Sequence, residues 1–182
     1  LFERAQAEYW IGFVARRRGD AATERTWLTR YRDSALALAG LEGKTLRAQR
    51  ELMFGHHNLA VLELDVGNVA AARAGFAAEG VSVREMLATN PADTALRFQL
   101  ADVASWLGRL EETDGRYEAS LGHYADVLAR LEELVAAGRL VIVVTHDDEL
   151  VEACADYLVR LEGGRVVSAG PLLREGASGE AA

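Results

Sequence analysis

The chain has 182 residues, half of them apolar, enough for one ordinary core or one short stack of repeats and too few for two large domains. Two prolines, 26% charged residues and an abundance of Ala, Leu, Arg and Glu predict a mainly α fold. The net charge of -8 is uneven, with ten basic and six acidic side chains in the first fifty residues and ten against twenty-two thereafter, and an acidic body argues against a nucleic-acid-binding surface.

From the N-terminus, a period emerges when the chain is laid against itself. Trp10-Ile11-Gly12, Asn58-Leu59-Ala60 and Trp106-Leu107-Gly108 recur every 48 residues. Val14, Leu62 and Leu110 keep the same offset, as do Gly19, Gly67 and Gly115, and then Leu28, Phe76 and Tyr124. Each unit reads as a helix, a Gly-centred turn and a second helix, with units at about 1–40, 46–89 and 94–137. A small residue at Gly12, Ala60 or Gly108 lets the paired helix approach, and a large apolar residue of that helix fills the space. The turn glycines suit a left-handed helix end. Gly40-Leu41-Glu42-Gly43 and Asn90-Pro91-Ala92-Asp93 are helix-breaking strings at equivalent places between units. One hairpin cannot bury its own apolar face, so neighbours must stack. Trp10, Trp27 and Trp106 are expected in the core, and Arg16-Arg17-Arg18 at a solvated helix end.

The strings NLAVLELDVGN, AARAGF, LATNP and SWLGRLEETDGRYEASLGHY resemble tetratricopeptide repeats, with a period longer than that family's usual one. The column that holds alanine in the family has Ala72 in unit two but Ser120 and Glu24 in units three and one. The resemblance implies a right-handed α-solenoid of about three long hairpins over residues 1–137. It also implies a groove lined by each hairpin's first helix, which would hold a protein or peptide partner. Exposed positions on that face would include Arg17, His57, Asn58, Asp65, Ser105, Arg109 and Glu112.

After Gly138 the pattern changes, and Leu140–Val144 reads as a buried strand. Thr145-His146-Asp147-Asp148 forms a capping box for a helix to about Ala155, and Tyr157–Leu161 and Arg165–Ala169 flank Gly163-Gly164 as a hairpin. The result is a small β-α-β-β appendage over 139–170, with 171–182 expected to be a disordered C-terminus. The string VIVVTHDDELVEACADYLVRLEGGRVVSAG resembles the end of the nucleotide-binding domain of ABC transporters. In that family a histidine at the place of His146 senses the terminal phosphate of ATP. A phosphate-cradling loop, a magnesium carboxylate after a strand and a signature loop are all missing. Gly43-Lys44-Thr45 lacks the required upstream glycine, since Leu38 stands there, and reads as a turn.

His56 and His57 are adjacent on a predicted helix with no third ligand at a useful sequence spacing, so no metal site is expected. No nucleophile constellation accompanies His123 or His146, and no catalytic residues are assigned beyond His146 under the ATPase alternative. The single Cys154 excludes an internal disulfide, and no apolar run reaches the ~20 residues of a membrane span. The expectation is a bacterial cytoplasmic binding scaffold, not an enzyme, without a cofactor and without membrane insertion. Its alternative is a fragment of an ABC ATP-binding subunit, with ATP as the ligand. Leu1 in place of a methionine reads as a fragment, with room for an upstream domain.

Overall fold

A computed structural model describes residues 1–138 and 157–172. The chain divides into two compact units, one holding six helices and the other a two-stranded antiparallel sheet. The helices are α1 (Phe2–Arg17), α2 (Ala21–Glu42), α3 (Leu46–Asp65), α4 (Val69–Thr89), α5 (Thr94–Thr113) and α6 (Tyr117–Ala136). Each packs chiefly on the next in chain order.

Helix ends follow local chemistry. The side chains of Asp20, Thr45, Asn68 and Asp93 accept hydrogen bonds from the first-turn amides of α2, α3, α4 and α5. Gly19, Gly67 and Gly115 end α1, α3 and α5 at φ of +72°, +82° and +71°. At each the next residue's amide reaches back five residues: Asp20 to the Ala15 carbonyl (3.0 Å), Asn68 to Glu63 (2.7 Å) and Arg116 to Glu111 (2.8 Å). The same helix-terminating motif thus recurs at the 48-residue offset. Gly40 does not break its helix: α2 runs on through Glu42 and ends at Gly43, whose φ is +67°.

The small-to-large pairing is present inside each hairpin. A Cβ placed on Gly12 would lie 3.1 Å from Leu28, and one on Gly108 would lie 2.9 Å from the Tyr124 ring. Ala60 shares a core cluster with Phe76, Ala72 and Leu110. Between hairpins, Arg25 on α2 binds Glu63 on α3 at 3.0 Å, and 48 residues later Arg73 on α4 binds Glu111 on α5. A second cluster, Met53, Val83, Met86, Leu96 and Leu100, joins α3, α4 and α5.

The expectation that all three tryptophans are core fails. Trp10 is 56% exposed, because α1 has no preceding helix over its outer face among the described residues. The same cause leaves Val14 at 53% exposure while its equivalents Leu62 and Leu110 are buried. Trp27 is half-buried with the Arg30 guanidinium 4.6 Å above its ring, and Trp106 is half-buried against the Phe76 cluster. Arg16 is not merely solvated, since it pairs with Asp65 at 3.1 Å and lies 4.0 Å from Glu24. Thr45 caps α3 and Lys44 pairs with Glu85 at 3.1 Å, in keeping with a turn at Gly43-Lys44-Thr45.

In the second unit, β1 (Tyr157–Glu162) pairs antiparallel with β2 (Arg165–Pro171), with an irregularity between Arg160 and Leu161. Gly163 and Gly164 both have positive φ, +55° and +76°, as a two-residue hairpin turn requires. The expected strand at Leu140–Val144, the helix after Thr145, His146, Cys154 and the C-terminus after Leu172 lie outside the described residues.

Candidate functional site

The most distinctive polar site lies where α3, α4 and α5 meet. Glu79, on the buried side of α4, is completely inaccessible to solvent. Its Oε2 lies 3.0 Å from His57 Nδ1 on α3, which donates, and its Oε1 accepts from Gln99 Nε2 on α5 at 2.8 Å. Asp102, one helical turn beyond Gln99, completes the group. One ligand-type atom from each of His57, Glu79 and Asp102 falls within 4.8 Å of the others. His57 and Asp102 are half-buried, so the cluster runs from the interior toward the surface.

Aromatic rings fix the imidazole. Phe76 and Trp106 stack at 5.0 Å between centroids, and His57 meets both edge-on, at 5.9 Å and 6.2 Å. Burial alone would depress the His57 imidazole, but the Glu79 hydrogen bond and the charges of Glu79 and Asp102 outweigh it, and Arg16 opposes them only weakly. The net result is a pKa above the ordinary histidine value. Its neighbour His56 shifts the other way, lowered by burial and by Arg32.

The equivalent junction between the first and second hairpins is built from neutral donors. There Tyr31 donates to Glu51 at 2.9 Å and Gln6 donates to the same carboxylate at 2.8 Å. Burial and Glu51 hold the Tyr31 phenol firmly in its protonated form. The 48-residue offset maps Tyr31 onto Glu79 and Glu51 onto Gln99, so donor and acceptor change places between the two junctions.

Of the predicted partner-binding residues, His57 belongs to this site, and the others are distributed over α1, α3 and α5. Asn58 is half-buried and spends its side-chain amide on the Phe54 carbonyl at 2.7 Å, and Ser105 is half-buried on α5. Arg109 is exposed, its guanidinium 5.8 Å from the Trp106 ring, and exposed Glu112 accepts from the Tyr124 hydroxyl at 3.3 Å. Arg17 and Asp65 are exposed at the ends of α1 and α3, and Asp65 is engaged by Arg16.

The sequence spacing offers no third ligand beside His56 and His57; in the fold, Glu79 and Asp102 of two neighbouring helices come close to His57, and His56 is not part of the group. Glu79, Gln99 and Asp102 were missed. A usable sign was present at Glu79, an acid in a repeat column otherwise held by Tyr31 and Val127.

No family model and no solved structure matches the chain. The chain is similar to the hemin import ATP-binding protein HmuV of Agrobacterium fabrum, 38% identical over 53 residues, which are 29% of this chain and 20% of that protein. The matched stretch therefore spans about a fifth of that relative's length.

Proposed function

We propose that the six-helix unit is an interaction scaffold of the tetratricopeptide kind, a short α-solenoid that holds an extended peptide or a partner helix along the face made by α1, α3 and α5. The observation that carries this reading is the recurrence of packing at one fixed offset. Gly12 with Leu28, Ala60 with Phe76 and Gly108 with Tyr124 are the same contact three times, and Arg25–Glu63 and Arg73–Glu111 are the same bridge twice. A unit built of such repeats presents a long surface assembled from equivalent helices, which suits recognition of an elongated ligand. Trp106 with Arg109 above it offers a flat aromatic and cationic contact on α5.

The test is selection of peptides from a display library on the full chain, followed by fluorescence anisotropy with a selected peptide. Saturable binding that weakens at least ten-fold on Arg109→Glu, with helix content unchanged by circular dichroism, is expected (about 1.4 kcal/mol). Failure to select any peptide, or binding indifferent to Arg109→Glu and Asn58→Ala, overturns the reading.

The 53-residue similarity favours a second reading, in which the chain carries a piece of an ATP-binding transporter subunit. Nucleotide titration separates the two. Saturable ATP binding that disappears on His146→Ala supports the second reading, and its absence leaves the scaffold alone.

A further inference from the structure

We propose that His57, Glu79 and Asp102 form a binding site for one divalent transition-metal ion of the zinc class, at the junction of α3, α4 and α5. The inference goes beyond the scaffold reading and does not depend on it, since it needs only three side chains on adjacent helices.

Ligand chemistry is the first support. One imidazole nitrogen and two carboxylates are a donor set that zinc, cobalt and nickel accept, whereas magnesium and calcium prefer oxygen alone. Three ligand atoms within 4.8 Å of one another are near the arrangement required. Tetrahedral zinc at about 2.0–2.1 Å from each places ligands about 3.3 Å apart, so the widest pair closes by no more than about 1.5 Å. The half-buried Asp102 carboxylate can make that movement by side-chain rotation, and the His57–Glu79 pair at 3.0 Å needs only to admit the ion.

Charge is the second and independent support. Among the described residues five glutamates are buried, and four of them have an arginine within 4.0 Å: Glu8 with Arg4, Glu24 with Arg16, Glu63 with Arg25, and Glu111 with Arg73 and Arg116. Glu79 is the most deeply buried of the five, and beside the neutral Gln99 amide its basic partner is an imidazole and not an arginine. With Asp102 nearby, two carboxyl groups converge on a single imidazole, and among the described residues no arginine or lysine pairs with Glu79. A divalent ion would take the place that arginine takes beside the other four buried glutamates.

The surroundings are those of a supported site. Gln99 donates to the far oxygen of Glu79 and leaves Oε2 pointing at His57, and the Phe76 and Trp106 rings limit rotation of the imidazole. Repeat packing does not demand the cluster, because the equivalent first junction is satisfied by Tyr31 and Gln6 on one carboxylate. Three protein ligands leave a fourth position for water or for an acidic or carbonyl group of a ligand.

The experiment is calorimetric titration of the full chain, stripped with chelator, using Zn²⁺ alone, with the visible absorption of Co²⁺ as a second readout. The expected result is one ion per chain, with proton release and with affinity falling as the solution is acidified. Asp102→Asn should weaken binding at least about ten-fold while circular dichroism stays native. The double variant Cys154→Ser/His146→Ala should bind as the unaltered chain does. Absence of saturable Zn²⁺ uptake overturns the proposal. So does uptake that survives Asp102→Asn and His57→Asn, or that is lost in the Cys154/His146 double variant.

Discussion

Replacing Phe76 by alanine probes the packing that joins the helical hairpin α3–α4 to α5. The ring is fully buried, seats on Ala60 within its own hairpin, touches Leu110 of the next and stacks on Trp106 at 5.0 Å. Truncating a buried phenylalanine costs about 3–5 kcal/mol when the cavity cannot collapse, and a site walled by Ala60 and Ala72 has little side chain with which to fill it. At about 2–4 °C per kcal/mol for a chain of this length, the helical unit should melt roughly 6–20 °C lower. Because hairpins contact chiefly their neighbours, the damaged middle should also uncouple the outer pairs. Urea unfolding followed by circular dichroism at the helix band should show a broadened or biphasic transition with a reduced slope. A single sharp transition shifted by less than about 1 kcal/mol would refute the claim that Phe76 joins two hairpins.

Two glycine substitutions should have opposite signs. A Cβ on Gly75 would fall 2.7 Å from the Ala60 Cβ and 3.2 Å from its Cα, so Gly75→Ala should destabilise by about 1–3 kcal/mol, while Gly122, with nothing within 4 Å, should gain about 0.5–1 kcal/mol as alanine in the same melts. A double-mutant cycle on Arg25 and Glu63 should yield a coupling of about 0.5–1 kcal/mol that shrinks in high salt, and a value of zero would remove that bridge from the account of hairpin stacking. Raised above its unfolded value, the His57 pKa contributes stability that is complete below about 6.5 and lost as pH climbs through the folded value. In the metal-free chain the difference in unfolding free energy between the unaltered protein and His57→Gln should therefore narrow from pH ~6 to pH ~8, and a difference flat across that range would contradict the Glu79 pairing.

Much of the helical architecture is written locally. Capping side chains at Asp20, Thr45, Asn68 and Asp93 start helices, and Gly19, Gly67 and Gly115 end them, because a helix terminus is decided by which nearby group satisfies its free amides and carbonyls. The recurrence of Gly12, Ala60 and Gly108 against Leu28, Phe76 and Tyr124 was legible because helices that pair within one hairpin keep a fixed sequence separation. The Gly163-Gly164 turn is legible for a similar reason, since positive φ at two successive residues selects glycine.

The exposure of Trp10 and the polar cluster of α3, α4 and α5 depend on how the helices pack. Trp10 occupies a repeat column that reads as core, yet it is exposed because burial depends on what lies across from a helix, and the helix cannot specify that alone. His57, Glu79 and Asp102 stand 22 and 23 residues apart in succession, spacings without meaning along any one helix. They converge because α3, α4 and α5 pack in order, each presenting one residue to the same point. Local chemistry sets most of the helix starts and stops and the pairing within a hairpin, through contacts a few residues to one hairpin long. Only the stacking of hairpins determined which side chains share a buried site, because there the neighbour in space is a helix away in sequence.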